Sequence, residues 1–324
     1  MRAGGDLLDA GKEGAATRVD RHMNPRERAW LSLEGLSIGD AFGEQFFGPP
    51  HEVRELLAAR TVPSGRWRWT DDTEMAISIV HELAARGALD QDALAEAFAD
   101  RMDPSRGYGA SAYTILNAIR EGIPWRRASA SAFRGRGSFG NGSAMRVAPL
   151  GAFHADDLEK CIAEARASAE ITHMHEEGIA GAIAVSVAAA LTWRRRGHAL
   201  PNGRAWLTEV RSHVPKGYVR DGIDAAIALA ADVSAAEAAG VLGNGAGVTT
   251  ADTVPFCLWI SAWYSHDFVE AMWQTVSAFG DRDTTCAIVG GIVALQVGEE
   301  GLPSTWQTSR EALPLPEGDE SRPV

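Results

Sequence analysis

The stretch Glu74–Arg86, EMAISIVHELAAR, decides the fold class, because Met75, Ile79 and Leu83 recur four residues apart. That spacing stacks apolar side chains on one face of a 3.6-residue helix and does not alternate across a strand. The pattern continues on both sides. Asp90 opens DQDALAEAFADRM with an acidic first turn, and 113–121 follows. It recurs over 156–169, 176–196, 205–213, 222–231, 234–242, 253–264, 267–279 and 284–297. No run alternates as a half-buried strand would. The expectation is an all-α chain, an orthogonal bundle of about a dozen helices.

No Pro/Ser-rich linker interrupts the middle, so one domain is expected over 27–312. Residues 1–26 are rich in Gly, Asp and Arg and have no apolar stretch of the kind an export signal carries. They and 313–324 (LPLPEGDESRPV) are expected to be loose tails. The longest uncharged run, 178–193, is dominated by Ala and Gly and reads as a buried helix, so no membrane span is expected. A hydrophobic share of 45% and a charged share of 23% in 324 residues match a chain with a full core. The net charge of −12 argues against general nucleic-acid binding, which needs a basic face. Cys161, Cys257 and Cys286 lie in apolar helical runs, so buried thiols in a reducing cytoplasm are expected.

Two short acidic clusters carry the chemistry. In Thr70-Asp71-Asp72-Thr73-Glu74, Asp71 could cap the next helix and Glu74 complete a capping box. In Asp281-Arg282-Asp283-Thr284, Asp283 could do the same. Each reading leaves one aspartate over. Crowded carboxylates repel unless one takes a proton or a cation. Hard oxygen donors of this kind suit Mg²⁺ or Mn²⁺. Should the fold bring the two helix entrances together, two ions about 3.5–4 Å apart would fit.

A third segment, 132–143, reads AFRGRGSFGNGS. Its small residues could turn backbone N–H groups toward an anion, with Arg134, Arg136 and Arg146 nearby, or could simply make a flexible surface loop. No Gly-Lys-[Ser/Thr] ends it and no strand precedes it, so it is neither a Walker A loop nor a dinucleotide fingerprint. Phe133 and Phe139 flank the small residues, and a base could stack between them. His173 and His175 are two apart but have no Cys or His cluster to complete a zinc site. The run Arg66-Trp67-Arg68-Trp69 reads as a packed loop.

Taken in order, Gly39-Asp40-Ala41-Phe42-Gly43, Thr70-Asp71-Asp72-Thr73-Glu74-Met75, Arg106-Gly107-Tyr108-Gly109, Gly140-Asn141-Gly142-Ser143-Ala144-Met145-Arg146, Thr172-His173 and Gly280-Asp281-Arg282-Asp283-Thr284 resemble the ADP-ribosylglycohydrolase family, over about 28–306. That family contains dinitrogenase-reductase-activating glycohydrolase and the ARH-type ADP-ribosyl hydrolases. The resemblance implies an all-α domain with two Mg²⁺ ions at the bottom of a cleft. It implies metal ligation by Thr70, Asp71, Asp72, Asp281, Asp283 and Thr284. Ser138, Phe139, Gly140 and Asn141 would hold the diphosphate of ADP-ribose. Phe133 and Phe139 would sandwich its adenine, and His173, Gly107 and Tyr108 would contact the substrate.

Three positions depart from the family pattern. Relatives commonly carry a glutamate four residues after the glycine that ends the Gly-Asp motif. Here Phe47 stands there, and the nearby acid is Glu44. The usual Asp-Thr-Asp-Thr motif has Arg282 in place of its first threonine. Arg106-Gly107-Tyr108-Gly109 looks more like the serine-directed type than the nitrogenase-directed one.

The implied reaction cleaves the bond between C1″ of ADP-ribose and an acceptor, usually a modified protein side chain. Such cleavage passes through an oxocarbenium-like state. Glu44, Asp72 and Asp283 are the candidates to activate water or protonate the leaving group. The rival expectations are a different Mg²⁺-dependent nucleotide hydrolase, or a non-catalytic ADP-ribose-binding or inhibitory protein.

Overall fold

Helix α1 (Pro25–Glu44) begins on a capping box: the Asn24 side chain accepts from the N–H groups of Arg26 and Glu27, and Glu27 reaches back to the Asn24 N–H. Pro25 at the first helical position needs no donor there. From Arg28 to Gly43 almost every residue of α1 is buried. Its partner is the last long helix of the chain, and glycines set their approach. A Cβ at Gly35 would run into the Gly290 carbonyl, one at Gly39 into the Cys286 carbonyl, and one at Gly43 into the Arg282 carbonyl. Glycines at i, i+4 and i+8 thus let two antiparallel backbones touch, in the register 35–290, 39–286, 43–282.

The computed structural model describes residues 23–197, 203–230 and 232–315. After α1 come α2 (Pro50–Ala59), α3 (Asp71–Arg86), α4 (Gln91–Arg101), α5 (Ala110–Arg120) and α6 (Trp125–Gly135). The middle holds α7 (Ala148–Phe153), α8 (Leu158–Glu170), α9 (Glu176–Arg195), α10 (Gly203–His213) and α11 (Tyr218–Ala228). The rest are α12 (Ala235–Leu242), α13 (Thr250–Tyr264), α14 (Phe268–Ser277), α15 (Arg282–Val297) and α16 (Ser304–Ser309). Among the described residues there is no strand, only the isolated bridges Trp67–Arg310 and Gly140–Thr249. The all-α expectation holds.

One apolar core runs through the bundle, with α1, α9, α13 and α15 as its most buried members. Helix α9 is long and apolar enough to cross a membrane by length and composition, but 89% of its apolar window is buried inside the protein. It is a core helix. Cys161, Cys257 and Cys286 are free and buried, as expected. Trp67 and Trp69 are buried too; Trp67 donates to the Pro63 carbonyl and lies edge-on to Trp306, so the tryptophans of the Arg/Trp run pack while Arg66 and Arg68 are exposed.

The tails differ from expectation. The N-terminal tail was expected to reach residue 26, yet α1 starts at Pro25; residues 1–22 lie outside those described. Leu313 and Leu315 pack on the core, and Pro314 O lies 3.2 Å from His81 Nε2, so the chain is anchored beyond 312. Residues 316–324 lie outside those described.

Because the α1–α15 contact is backbone against backbone, it has no flexible side chain to give way. Gly290→Ala would drive a Cβ into the Gly35 carbonyl. The expected loss is about 3 kcal/mol, the upper end for overpacking. Urea unfolding checks it, and a loss under about 1 kcal/mol would contradict this packing.

Candidate active site

Two acidic entrances meet in the fold. Helix α3 enters the core at Thr70–Asp72, and α15 enters beside it at Asp281–Thr284. Thr284 Oγ1 lies 3.4 Å from Asp72 Oδ2, across 212 residues of sequence. Thr70 Oγ1 lies 3.1 Å from the same carboxylate oxygen. Thr70, Asp72 and Thr284 are buried, while Asp71, Asp281 and Asp283 are partly exposed.

Neither helix is capped as its sequence suggests. The cap of α3 is Thr70, whose hydroxyl accepts from Asp72 N, and Asp71 is the first helical residue. Glu74 makes no capping box. It accepts from Asp103 N at 2.9 Å and from the Tyr108 hydroxyl at 2.8 Å. In α15 the cap position is Asp281 without a side-chain capping bond, and Asp283 lies in the first turn. The Asp281 carboxylate instead accepts from Asn141 Nδ2 at 2.7 Å. The carboxylates that capping would have occupied are therefore directed elsewhere.

At α3 the capping donors go to Asp40, a residue that periodicity did not single out. It is fully buried on α1. Its Oδ2 accepts from Thr70 N (2.9 Å), Thr73 N (3.1 Å) and Thr73 Oγ1 (2.5 Å), and its Oδ1 from Thr70 Oγ1 (2.8 Å). A carboxylate from one helix thus satisfies the exposed donors at the start of another. The only sequence signal for this role is the Gly-Asp pair, since Gly39 lets α1 come close enough to α15.

The cluster is electrostatically strained. Burial, above all, pushes the Asp40 carboxyl up to about 6, opposed by its hydrogen bonds from Thr73 and Thr70. Burial and then the Asp40 charge push Asp71 up to about 8. Asp72 and Asp283 are held well above the ordinary carboxylate range by burial and by neighbouring aspartates. Asp72 Oδ1 and Asp283 Oδ1 are buried with no hydrogen-bond partner. Buried acceptors with nothing to accept from, among mutually repelling acids, are what a cation or a proton would relieve. Among the described residues no group of three acidic, His or Cys side chains is placed to hold a metal ion as it stands. The donor set is open, with hydroxyls and carboxylates on two walls.

The glycine-rich segment forms a third wall. Phe133 and Arg134 take left-handed φ of 51° and 62°, which ends α6 and turns the chain inward. The Asn141 N–H donates to Val248 O (3.2 Å) and the Gly140 N–H to Ser138 Oγ (3.2 Å). These two donors shape the loop rather than point freely at a ligand. Phe133 and Phe139 lie 5.5 Å apart, tilted by 38°. A base inserted between them needs two contacts of roughly 3.5 Å each, about 7 Å in all. As they stand the rings touch each other, so the expected sandwich requires one to move. Phe133 also borders a groove of about 430 Å³ between α5 and α6, lined by Ser111, Thr114 and Ile115 among others. That groove does not include the carboxylates.

His173 closes the floor beneath the loop. Arg146 Nη2 donates to Thr172 Oγ1 at 3.0 Å, and that hydroxyl lies 2.7 Å from His173 Nδ1. That leaves the threonine proton available to Nδ1, the arrangement in which Nε2 carries the ring hydrogen. Burial, and secondarily Arg146, pushes the imidazole down to about 3, so it is a neutral donor. A Cβ at Gly140 or Gly142 would lie 3.2 or 3.1 Å from Nε2, which places that donor under the loop. His175 has a different job: its ring caps α9 by accepting from Glu177 N. The two histidines do not form a metal pair.

Arg146 was foreseen only as nearby charge, but it is fully buried and bonds Ser168 O as well as Thr172. Gly107 lies against Asp71: a Cβ there would be 3.7 Å from Asp71 Oδ1. The Tyr108 hydroxyl donates to Glu74 and lies close enough to Asp71 and Arg146 to feel their charges. Glu44, the last residue of α1, is partly buried at the rim. Burial and then Asp40 raise its carboxyl, while Arg282 and Arg68 pull it down.

The sequence and fold also match known proteins. The family model described as ADP-ribosylglycohydrolase matches residues 21–319. The chain is similar to the ADP-ribosylhydrolase ARH3 of Homo sapiens, 28% identical over 86% of this chain and 88% of that one. It is similar to the ADP-ribosyl-[dinitrogen reductase] glycohydrolase of Rhodospirillum rubrum, 29% identical over 86% of this chain and 89% of that one. A solved structure titled ADP-ribosylglycohydrolase-related protein complex superposes with a TM-score of 0.62, over 89% of this chain and 93% of that one, at 22% identity. With its family model matched from 21 to 319, the chain belongs to the ADP-ribosylglycohydrolase family and is a glycohydrolase enzyme.

Proposed function

We propose that this enzyme hydrolyses the C1″ glycosidic bond joining ADP-ribose to an acceptor, a modified protein side chain, with Mg²⁺ or Mn²⁺ as its cofactor. The observation that carries this is the 3.4 Å approach of Thr284 to Asp72, with unpartnered buried oxygens on Asp72 and Asp283. Family membership supplies the substrate class.

The donor set fits two hard cations: Thr70, Asp71, Asp72, Asp281, Asp283 and Thr284 offer carboxylate and hydroxyl oxygens, with water to complete six-fold shells. When bound, the ions would neutralise the cluster and polarise the ribose hydroxyls. The protein's own groups do the rest. The neutral His173 donates from Nε2 beneath the loop 138–141, where the diphosphate would sit. Phe139 and Phe133 offer aromatic surface to the adenine. Water's oxygen bonds to C1″ as the acceptor bond breaks. One proton leaves the water and one arrives at the acceptor atom. Asp72 and Asp283, beside the ions, and Glu44 at the rim are the groups nearest to carry it.

The test is a hydrolysis panel of arginine-, serine- and nucleic-acid-linked ADP-ribose, with Mg²⁺ and with EDTA. Release of free ADP-ribose from at least one linkage, lost in EDTA, is expected. No release from any linkage would overturn the reading.

The raised carboxyls add a pH dependence. A carboxyl raised in the fold contributes stability that is complete below its unfolded value near 4 and is lost as pH rises through the folded value. For Asp40 and Asp71 the folded values are about 6 and about 8. Cations compete with those protons, so the Mg²⁺-induced rise in Tm is expected to grow between about pH 5 and about pH 8. Thermal melts with and without EDTA check it, and a Mg²⁺ effect that is flat or falls with pH would count against the cluster.

A further inference from the structure

Arg282 stands between the two metal-ligand aspartates of α15, where the family motif has a threonine, yet pairs with neither. Its guanidinium carbon lies 4.5 Å from the centre of the Phe47 ring and 5.6 Å from that of Phe279. Its Nε is buried without a hydrogen-bond partner. Its side chain makes no hydrogen bond or ion pair with any described residue; Asp283, Asp281 and Glu44 act on it only through space. Phe279 holds a left-handed φ of 60°, a conformation that costs a non-glycine residue energy, and Phe47 is 46% exposed. Arginines ordinarily spend their donors on carboxylates when acids are this near. Here two rings hold the planar cation at the rim of the carboxylate cluster with its donors uncommitted.

The rim where α1 ends and α15 begins carries Glu44, Phe47 and Arg282, with Gly43 packed on the Arg282 carbonyl. The glycine loop and His173 form a separate wall, so the acceptor side of the scissile bond is left to this rim and to the Gly107 loop that borders Asp71. A fixed positive charge there repels a second one. We propose that Arg282, clamped by Phe47 and Phe279, selects the acceptor, accepting ADP-ribose linked through a neutral oxygen and disfavouring ADP-ribosyl-arginine, whose guanidinium stays charged. This deepens the hydrolase reading above and rests on it.

The experiment uses two peptides of matched sequence, one with serine-linked and one with arginine-linked ADP-ribose, and compares wild type with Arg282→Gln and Arg282→Lys. The wild type is expected to favour the serine linkage in kcat/KM. Arg282→Gln should shrink that preference about tenfold, the scale of one screened charge contact. The change should appear in KM for the arginine-linked peptide, because repulsion opposes substrate and transition state alike. Arg282→Lys keeps the charge and should keep most of the preference. An unchanged ratio in Arg282→Gln, equal effects of Gln and Lys, or a wild type that favours arginine would overturn the proposal while leaving the hydrolase reading intact. Release from neither peptide nor from the nucleic-acid-linked substrate would overturn both.

Discussion

Asp283→Asn is expected to reduce release of free ADP-ribose by about 10²–10³-fold, roughly 3–4 kcal/mol of transition-state stabilisation. The same variant should melt at a higher temperature than wild type in EDTA at pH 8 and above. Both follow from one feature. Asp283 sits among Asp281, Asp40 and Asp72, its Oδ1 is buried without a partner, and its carboxyl is raised by burial and by those neighbours. Ionising it in the cation-free fold costs stability, so an isosteric neutral side chain should restore about 1 kcal/mol. A residue kept for packing would lose stability on substitution. Activity assays and calorimetric melts separate the two: falling activity with unchanged or rising Tm fits a ligand role. Normal turnover would remove Asp283 from the site.

Asp40→Ala should do the opposite to stability. It would leave Thr70 N and Thr73 N, both held by Asp40 Oδ2, without an acceptor in the core. At about 1–3 kcal/mol for each buried orphan donor, the expected loss is about 3–5 kcal/mol, together with activity, because the start of α3 is no longer fixed. Asp40→Asn is the control. Its amide oxygen can take the place of Oδ2, which accepts three of the four contacts, and its NH₂ can face Thr70 Oγ1. It should recover most of the stability. If Asn is as damaging as Ala to the fold, Asp40 is not acting as an acceptor for the helix donors.

Helices α4, α8, α10 and α14 were legible because each buries one face and leaves the other at least partly exposed. Helix α3 is buried at every position from Asp72 to Val80 and was legible from its Met75, Ile79, Leu83 stripe. The equally buried α9 and α15 stand out as long uncharged runs, whereas helix α1 did not, because its buried face mixes Gly, Ser, Asp and Arg among the apolar residues. Its legible marks were Asn24, Pro25 and Glu27, a capping box with proline at the first position. Short α7 and α16, six residues each, carry too few turns to show a period.

At the site, residue types were readable and partners were not. Thr70-Asp71-Asp72 and Asp281-Arg282-Asp283 announced themselves by excess carboxylates. Spacing alone could not say that Asp40 relieves Thr70 and Thr73 of capping, or that Asn141 bridges to Asp281 across 140 residues. The cap assignments failed for that reason. They were local readings of donors that the fold satisfies from a distant helix. Arg146 was read as phosphate-directed charge, but the fold buries it completely. There burial pushes its guanidinium down to about 9, and it donates to the Thr172 hydroxyl that touches His173 Nδ1.

The account stands on one shared cation pocket between the start of α3 and the start of α15. Titrating Mn²⁺ into wild type, Asp72→Asn, Asp283→Asn and the double variant by calorimetry tests it most directly. Two ions per chain are expected in the wild type. Either single variant should weaken the same sites, and the double variant should lose little more than one single, because contacting ligands are not additive. No Mn²⁺ binding in the wild type, or fully additive losses from two independent sites, would contradict it.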